Sequence, residues 1–100
     1  MKCELCAREN ILTFHHLIPK CLHTNKWFKA NYSREQMNKG LMLCKYECHK
    51  EIHLLISNKD LGKYYNTKKL LLSHINVKSY IKWIKKKYKN KPLYPASFRN

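Results

Sequence analysis

Leu41-Met42-Leu43-Cys44-Lys45-Tyr46-Glu47-Cys48-His49-Lys50-Glu51-Ile52-His53 is the stretch on which the reading of this chain turns. Its apolar start, Leu41 to Leu43, has the length and composition of a short strand. From Glu47 to about Ser57, His49, Ile52, His53 and Ile56 fall at i, i+3, i+4 and i+7, which is one helical face. A strand that enters a helix through two cysteines carries thiolates at the junction. One turn further on it carries two imidazoles pointing the same way, a spacing that suits a shared cation.

Upstream, Ile11 to Leu17 predicts a strand that Pro19 ends. Leu12, Phe14 and His16 share one face, and Ile11, Thr13 and His15 the other. The neighbours His15 and His16 therefore point to opposite sides. One imidazole can ligate a metal while the other stays free to take a proton. With the helix laid on the strand, three histidines can converge on one divalent ion. Such an ion would polarise a scissile phosphate, and the remaining histidine would activate water as general base. His53 as a core histidine, or His49 as a ligand of a neighbouring zinc, are the plainer alternatives.

The first ten residues hold Cys3 and Cys6 in a tight knuckle. With Cys44 and Cys48 they offer four soft ligands for a closed, tetrahedral structural zinc. The second pair is separated by three residues rather than the usual two. Buried free thiols acting as small apolar fillers are the rival reading. Cys21 is left over as an ordinary free cysteine, and His23 and His74 stand alone as expected surface residues.

The remaining segments fit one small domain of 100 residues, for which a metal staple aids folding. Residues 20–32 read as a long polar excursion with Trp27, Phe28 and Tyr32, in which Trp27 is expected to anchor the loop to the core. Ser33 to Gln36 fits a capping box that opens a short helix, stopped by Gly40. Asn58 and Asp60 are expected to break the central helix. Thr67 to about His74 predicts another helix, capped by Asn66 or Thr67. Val77 to about Lys89 predicts a third, with an apolar stripe of Val77, Tyr80, Ile81, Ile84 and Tyr88. The partition is thus a metal core over 1–58, a basic helical appendage of the same domain over 59–91, and an irregular tail over 92–100.

Lys and Arg number 21 against 6 Asp and Glu, a formal net charge of +15. Such a field concentrates polyanions, and nucleic acid is the expected partner. Lys20, Lys26, Lys29 and Arg34 are candidates for holding phosphates near the metal centre, and Lys85, Lys86 and Lys87 for a second contact on the last helix. No stretch is apolar and long enough to span a bilayer, and no apolar signal core opens the chain. Cysteines paired at metal-ligand spacing suit a reducing cytosol.

These pieces resemble the HNH endonucleases, whose ββα-metal core sets two strands and a helix around one metal. The zinc-knuckle subgroup shares the arrangement Cys3 and Cys6, then His15-His16-Leu17-Ile18-Pro19, then Cys44, then Cys48-His49 with Ile52-His53. Tyr65 to Thr67 and the helix carrying Trp83 also look like small bacterial members, so the likeness covers roughly residues 1–88. It implies an α+β, treble-clef-like fold with a structural four-cysteine zinc site and C-terminal helices. It implies a catalytic divalent ion (Mg2+, Mn2+, Ni2+ or Zn2+) on His15 and His49, with His53 matching a further histidine of colicin-type DNases. It implies His16 as general base and DNA ends bearing 5′-phosphate. The middle asparagine that orients the base in that family has no clean match, and Asn38 lies nearest. A zinc-dependent DNA-binding module without activity, and an RNA-binding zinc protein, are the rival functions.

Overall fold

The computed structural model describes residues 2–87, so the expected tail over 92–100 and the end of the last helix, Tyr88 and Lys89, lie outside the described residues. The architecture is α+β: a two-stranded antiparallel sheet and a set of short helices. Strand β1 (Leu12–His16) pairs with β2 (Gly40–Cys44) in the register Leu12↔Cys44, Thr13↔Leu43, Phe14↔Met42, His15↔Leu41 and His16↔Gly40. The period of two sorts their side chains. His15, Leu41 and Leu43 are buried on one face, whereas Phe14 stays 45% exposed and His16 half-buried on the other.

The knuckle docks against β2 through both the backbone and the side chain of Glu4. Glu4 N–H donates to the Met42 carbonyl at 2.9 Å, and Met42 N–H donates to the Glu4 carboxylate at 2.6 Å. The reversal is completed by Ala7, whose N–H donates to the Cys3 carbonyl and whose φ of 63° lies in the left-handed region.

Between the strands, residues expected as an irregular excursion are largely helical. A 3-10 turn spans Lys20–Leu22, and α1 (Lys26–Asn31) is capped by the Asn25 side chain, which accepts from the N–H groups of Trp27 and Phe28. Phe28, not Trp27, is the anchor: Phe28 is buried with Ile18 and Met37, while Trp27 is 44% exposed with the Lys63 ammonium 4.7 Å from its ring centre. Helix α2 (Arg34–Met37) starts at the capping box of Ser33 and Gln36. It ends at Asn38 without help from Gly40, which has no positive φ and is the first residue of β2. Gly40 has a steric reason instead, because a Cβ there would strike the Phe14 ring and the His15 carbonyl.

After β2 comes a single π turn over Lys45–His49, then α3 (Lys50–Leu55). The wider turn takes up the extra residue between Cys44 and Cys48. Asn58 does not break the chain's helicity but opens α4 (Asn58–Tyr64), because Ser57 accepts from the Asp60 N–H as a new N-cap. Gly62 lets α4 approach Leu22 and the Phe28 ring, atoms a Cβ would meet at 2.8–3.0 Å. Thr67 caps α5 (Lys68–Ser73), and α6 (Ile75–Lys87) buries Val77, Ile81 and Ile84 against the same core as Leu43, Ile52 and Leu61.

Candidate functional site

Two clusters of metal-ligating side chains flank the π turn. In the first, Cys3 and Cys6 from the knuckle meet Cys44 at the end of β2 and Cys48 inside the turn, with all four sulfurs within 4.8 Å of one another. All four residues are buried, none more than 2% exposed. The Cys6 and Cys44 sulfurs are 3.9 Å apart, close to the edge of about 3.8 Å that a tetrahedron with Zn–S near 2.3 Å requires. The Cys48 N–H donates to the Cys44 sulfur at 3.2 Å, a bond that steadies a thiolate. Hydrogen bonds from Cys44 and Cys48 hold the Cys3 thiol far below its usual range, while the same contacts with Cys3 push Cys44 and Cys48 up. Burial works against the charge of Arg8, but its hydrogen bond to Cys6 and the charges of Cys6, Cys44 and Glu47 outweigh that and raise its pKa. This donor set fits a metal such as zinc.

In the second cluster, His15 from β1 meets His49 from the π turn and His53 from α3. Their ring centres stand 5.2 Å (His15–His49), 5.3 Å (His15–His53) and 5.1 Å (His49–His53) apart. One nitrogen from each lies within 4.8 Å of the others. His15 is 0% exposed, and neither ring nitrogen has a hydrogen-bond partner. A buried imidazole left so is costly unless something else takes its lone pair. That observation, with the donor chemistry, makes this second group fit a cation. Sequence spacing brought these seven residues to the two clusters in which the structure places them.

Burial first, and then the charges of His49, His53 and His16, push His15 down to about 3. Burial also lowers His49, joined by the charges of His53 and His16. It lowers His53, with the Asn58 side chain pulling the other way. It lowers His16, helped by His23 and Lys20. All four shifts favour neutral rings with free lone pairs.

The sign of the resulting pH dependence follows. Unfolded His15 takes a proton near 6.5, whereas folded His15 stays neutral down to about 3, so the unfolded state binds more protons between those values. Its contribution to stability is complete above 6.5 and is lost as pH falls towards 3. With no divalent cation added, wild type is expected to lose urea resistance from pH 7.5 to 5 more steeply than His15→Gln. The cysteine cluster is common to both proteins and cancels in the comparison. Parallel slopes would contradict a buried, neutral His15.

His16 stands apart from the ligating group yet faces the same opening. A cavity of about 350 Å3 is lined by Phe14, His16, Pro19, Lys20, Cys21, His49, His53 and Asn58. The His16 ring packs edge-on against Phe14 at 4.8 Å and His23 at 5.5 Å. His23 is thus no lone surface residue: it is half-buried, and its Nε2 lies 2.7 Å from the Ile18 carbonyl. His74, also half-buried, accepts from the N–H groups of Asn76 and Val77 through Nδ1 and so caps α6.

A larger cavity, about 620 Å3, is lined by His23, Lys29, Tyr32, Ser33, Arg34, Met37 and Asn38. Asn38 therefore sits at the end of α2 in this second cavity, and not among the residues that line the cleft with His16. Of the expected phosphate-binding residues, Lys20 lines the cleft and Lys29 and Arg34 the larger cavity. Lys26 is exposed at the start of α1, and Lys85 and Lys86 are exposed in the last turn of α6, lining neither.

Sequence reasoning passed over Thr13 and Asn58. The Thr13 hydroxyl lies 2.6 Å from His49 Nδ1 and 3.4 Å from the Leu43 carbonyl oxygen. Thr13 shares a strand face with His15, and that period-two signal was available; Asn58, on the next helix, gives none.

No helix among the described residues is long and apolar enough to cross a membrane. No family model matches the chain, and no solved structure matches it. It is similar to the uncharacterized protein YisB of Bacillus subtilis (strain 168), with 36% identity over 88 residues that span 84% of this chain and 73% of that protein. Identity at that level over most of both chains places the two in one family: the protein belongs to the family of Bacillus subtilis YisB.

Proposed function

We propose that the protein is an HNH-type endonuclease that hydrolyses phosphodiester bonds in DNA, with β1, β2 and α3 as a ββα-metal core. The observation that carries this reading is the position of His16, a fourth histidine that lines the cleft beside His49 and His53 but is not one of the three convergent ligands. A module that only binds has no chemical use for a free, neutral imidazole next to a cation site. In the proposed arrangement Cys3, Cys6, Cys44 and Cys48 hold a structural zinc, and His15, His49 and His53 hold a divalent cation. When bound, that cation supplies Lewis-acid stabilisation of the charge that develops on the phosphate and the leaving oxygen.

The residues of the chain do the rest. His16 takes the proton of the attacking water, a role for which its depressed pKa keeps it neutral at physiological pH. Lys20, in the same cleft, offsets the charge of the scissile phosphate. Lys29 and Arg34 carry the backbone onward through the neighbouring cavity. The net charge of +15 supports a polyanionic substrate.

The test is cleavage of supercoiled plasmid by zinc-loaded protein across Mg2+, Mn2+, Ni2+ and Zn2+, with a chelator control and an RNA substrate in parallel. Nicking or linearisation that needs the added metal is expected, with DNA preferred over RNA. Tight DNA binding without cleavage under any metal would favour the binding module instead.

The DNA path gives a separate expectation. A protein with both Lys29→Ala and Arg34→Ala should lose about two phosphate contacts, lowering the slope of log affinity against log salt by about 2 units. The double variant Lys85→Ala with Lys86→Ala, which touches neither cavity, should leave that slope nearly unchanged. Fluorescence anisotropy over a salt series reads both, and a reversed ranking would move the DNA to α6.

A further inference from the structure

We infer that Thr13 is a positioning residue for the histidine cation site, fixing the tautomer of His49 so that Nε2 is the nitrogen offered to the cation. The inference rests on the proposed cation role of His15, His49 and His53, and not on nuclease activity.

The argument starts from hydrogen-bond capacity. A threonine hydroxyl has one proton to donate and can accept at the same oxygen. Thr13 Oγ1 lies between two candidates, His49 Nδ1 at 2.6 Å and the Leu43 carbonyl oxygen at 3.4 Å. A carbonyl can only accept, so Leu43 gives the Thr13 proton an acceptor other than the ring, and we place the proton there. The short contact then requires His49 Nδ1–H to donate to Thr13. A neutral imidazole with its proton on Nδ1 has its lone pair on Nε2, which is the form a metal can use.

The opposite arrangement, with Thr13 donating to Nδ1, would leave a proton on Nε2 and close that nitrogen to a cation. The two arrangements differ in whether the Leu43 carbonyl, on the register partner of Thr13, receives the hydroxyl proton, and the tautomer of His49 reports which one holds. One strand thus carries two separate contributions two residues apart. His15 supplies a ligand, and Thr13 orients a ligand that belongs to the π turn. Outer hydrogen bonds of this kind set ring orientation and basicity in histidine metal sites, and their loss typically costs 10–100-fold in affinity. His15 has no such partner on either nitrogen and is held by packing alone, so the burden of orientation falls on the helix side of the site.

The test compares wild type, Thr13→Val and Thr13→Ser in the full chain. Valine keeps the shape and removes the hydroxyl; serine keeps the hydroxyl. The first readout is the histidine side-chain 15N spectrum without added divalent cation, which reports the protonated nitrogen of each ring directly. The second is the affinity for Mn2+ and Ni2+ by calorimetry. Cobalt substituted into the four-cysteine site provides a visible absorption band that verifies the fold of each variant.

The expected result is an Nδ1–H tautomer for His49 in wild type and Thr13→Ser. It should be replaced or mixed in Thr13→Val, with cation affinity about 10-fold or more weaker in valine alone. Thr13→Val with an intact cobalt spectrum, an unchanged tautomer and affinity within twofold of wild type would overturn the inference. So would a wild-type His49 protonated on Nε2, or a wild type with no affinity for either cation. Should the protein bind cations with this dependence on Thr13 and yet cut no DNA, the positioning role stands and the nuclease reading falls.

Discussion

His16→Ala is expected to slow metal-dependent DNA cleavage by about 10²–10⁴-fold, the usual contribution of a positioned general base. The size follows from where His16 sits. It is on the outward face of β1, half-buried, with its ring held between Phe14 and His23, and it opens onto the cleft that His49 and His53 also line. Removing it takes away the proposed proton acceptor but none of the three convergent histidines, so cation affinity and zinc content should hold while turnover falls. His15→Ala should behave differently, losing cation affinity, because His15 belongs to the convergent three. A pH profile separates the roles further. His16 is shifted below its ordinary value by burial, His23 and Lys20, so the wild-type rate should stay level through neutrality and fall only as acid protonates that ring. Cleavage by a folded, DNA-binding His16→Ala at the wild-type rate would sink the assignment of the base.

Cys48→Ser is expected to abolish the cooperative fold. A structural zinc contributes an apparent 10–16 kcal/mol to small zinc domains at neutral pH, roughly the whole of the 5–15 kcal/mol that stabilises an ordinary domain. Here the dependence is heightened by what the site joins. A two-stranded sheet is marginal on its own, and the knuckle is tied to the rest by its link to β2, an Asn10–Glu47 side-chain bond and its place in the core. All four cysteines belong to the main buried cluster, so an unliganded site is also a defect in the core. Chelation of wild type with a strong zinc chelator should produce the same collapse, reversed by adding zinc. Circular dichroism and amide NMR dispersion read both. Purified protein with no tightly bound zinc, or Cys48→Ser melting within a few degrees of wild type, would refute the structural role.

The parts of this fold that are legible in the sequence are those decided by local rules. Alternation along β1 predicts opposite faces for His15 and His16, and the pleat delivers them to the core and the cleft. Ser33 with Gln36, and Thr67, cap helices because their oxygens can reach orphan N–H groups. The convergence of the four cysteines and of the three histidines follows from helical spacing and paired cysteines. What is not legible was decided by partners far along the chain. The short helix α1 depends on burying Phe28 under α4, with Gly62 making room, and its own six residues advertise little. Gly40 looks like a helix stop until Phe14 is seen lying over it. Asn58 looks like a breaker, yet Ser57 restarts the helix immediately and swings Asn58 to the rim of the cleft. Thr13 is indistinguishable from any strand threonine until His49 is brought to it.

The widened turn between Cys44 and Cys48 has a consequence for how genes of this family can vary in length. The two cysteines meet across that turn, while His49 and His53 are counted from Cys48 onward. An extra codon on the near side of Cys48 is absorbed as a wider loop of backbone, and everything downstream stays in phase. The same insertion one position later, between Cys48 and His49, would rotate both imidazoles by about 100° relative to the thiolates and dismantle the pair of sites. Insertions and deletions should therefore be tolerated on one side of a single residue, Cys48, and purged on the other.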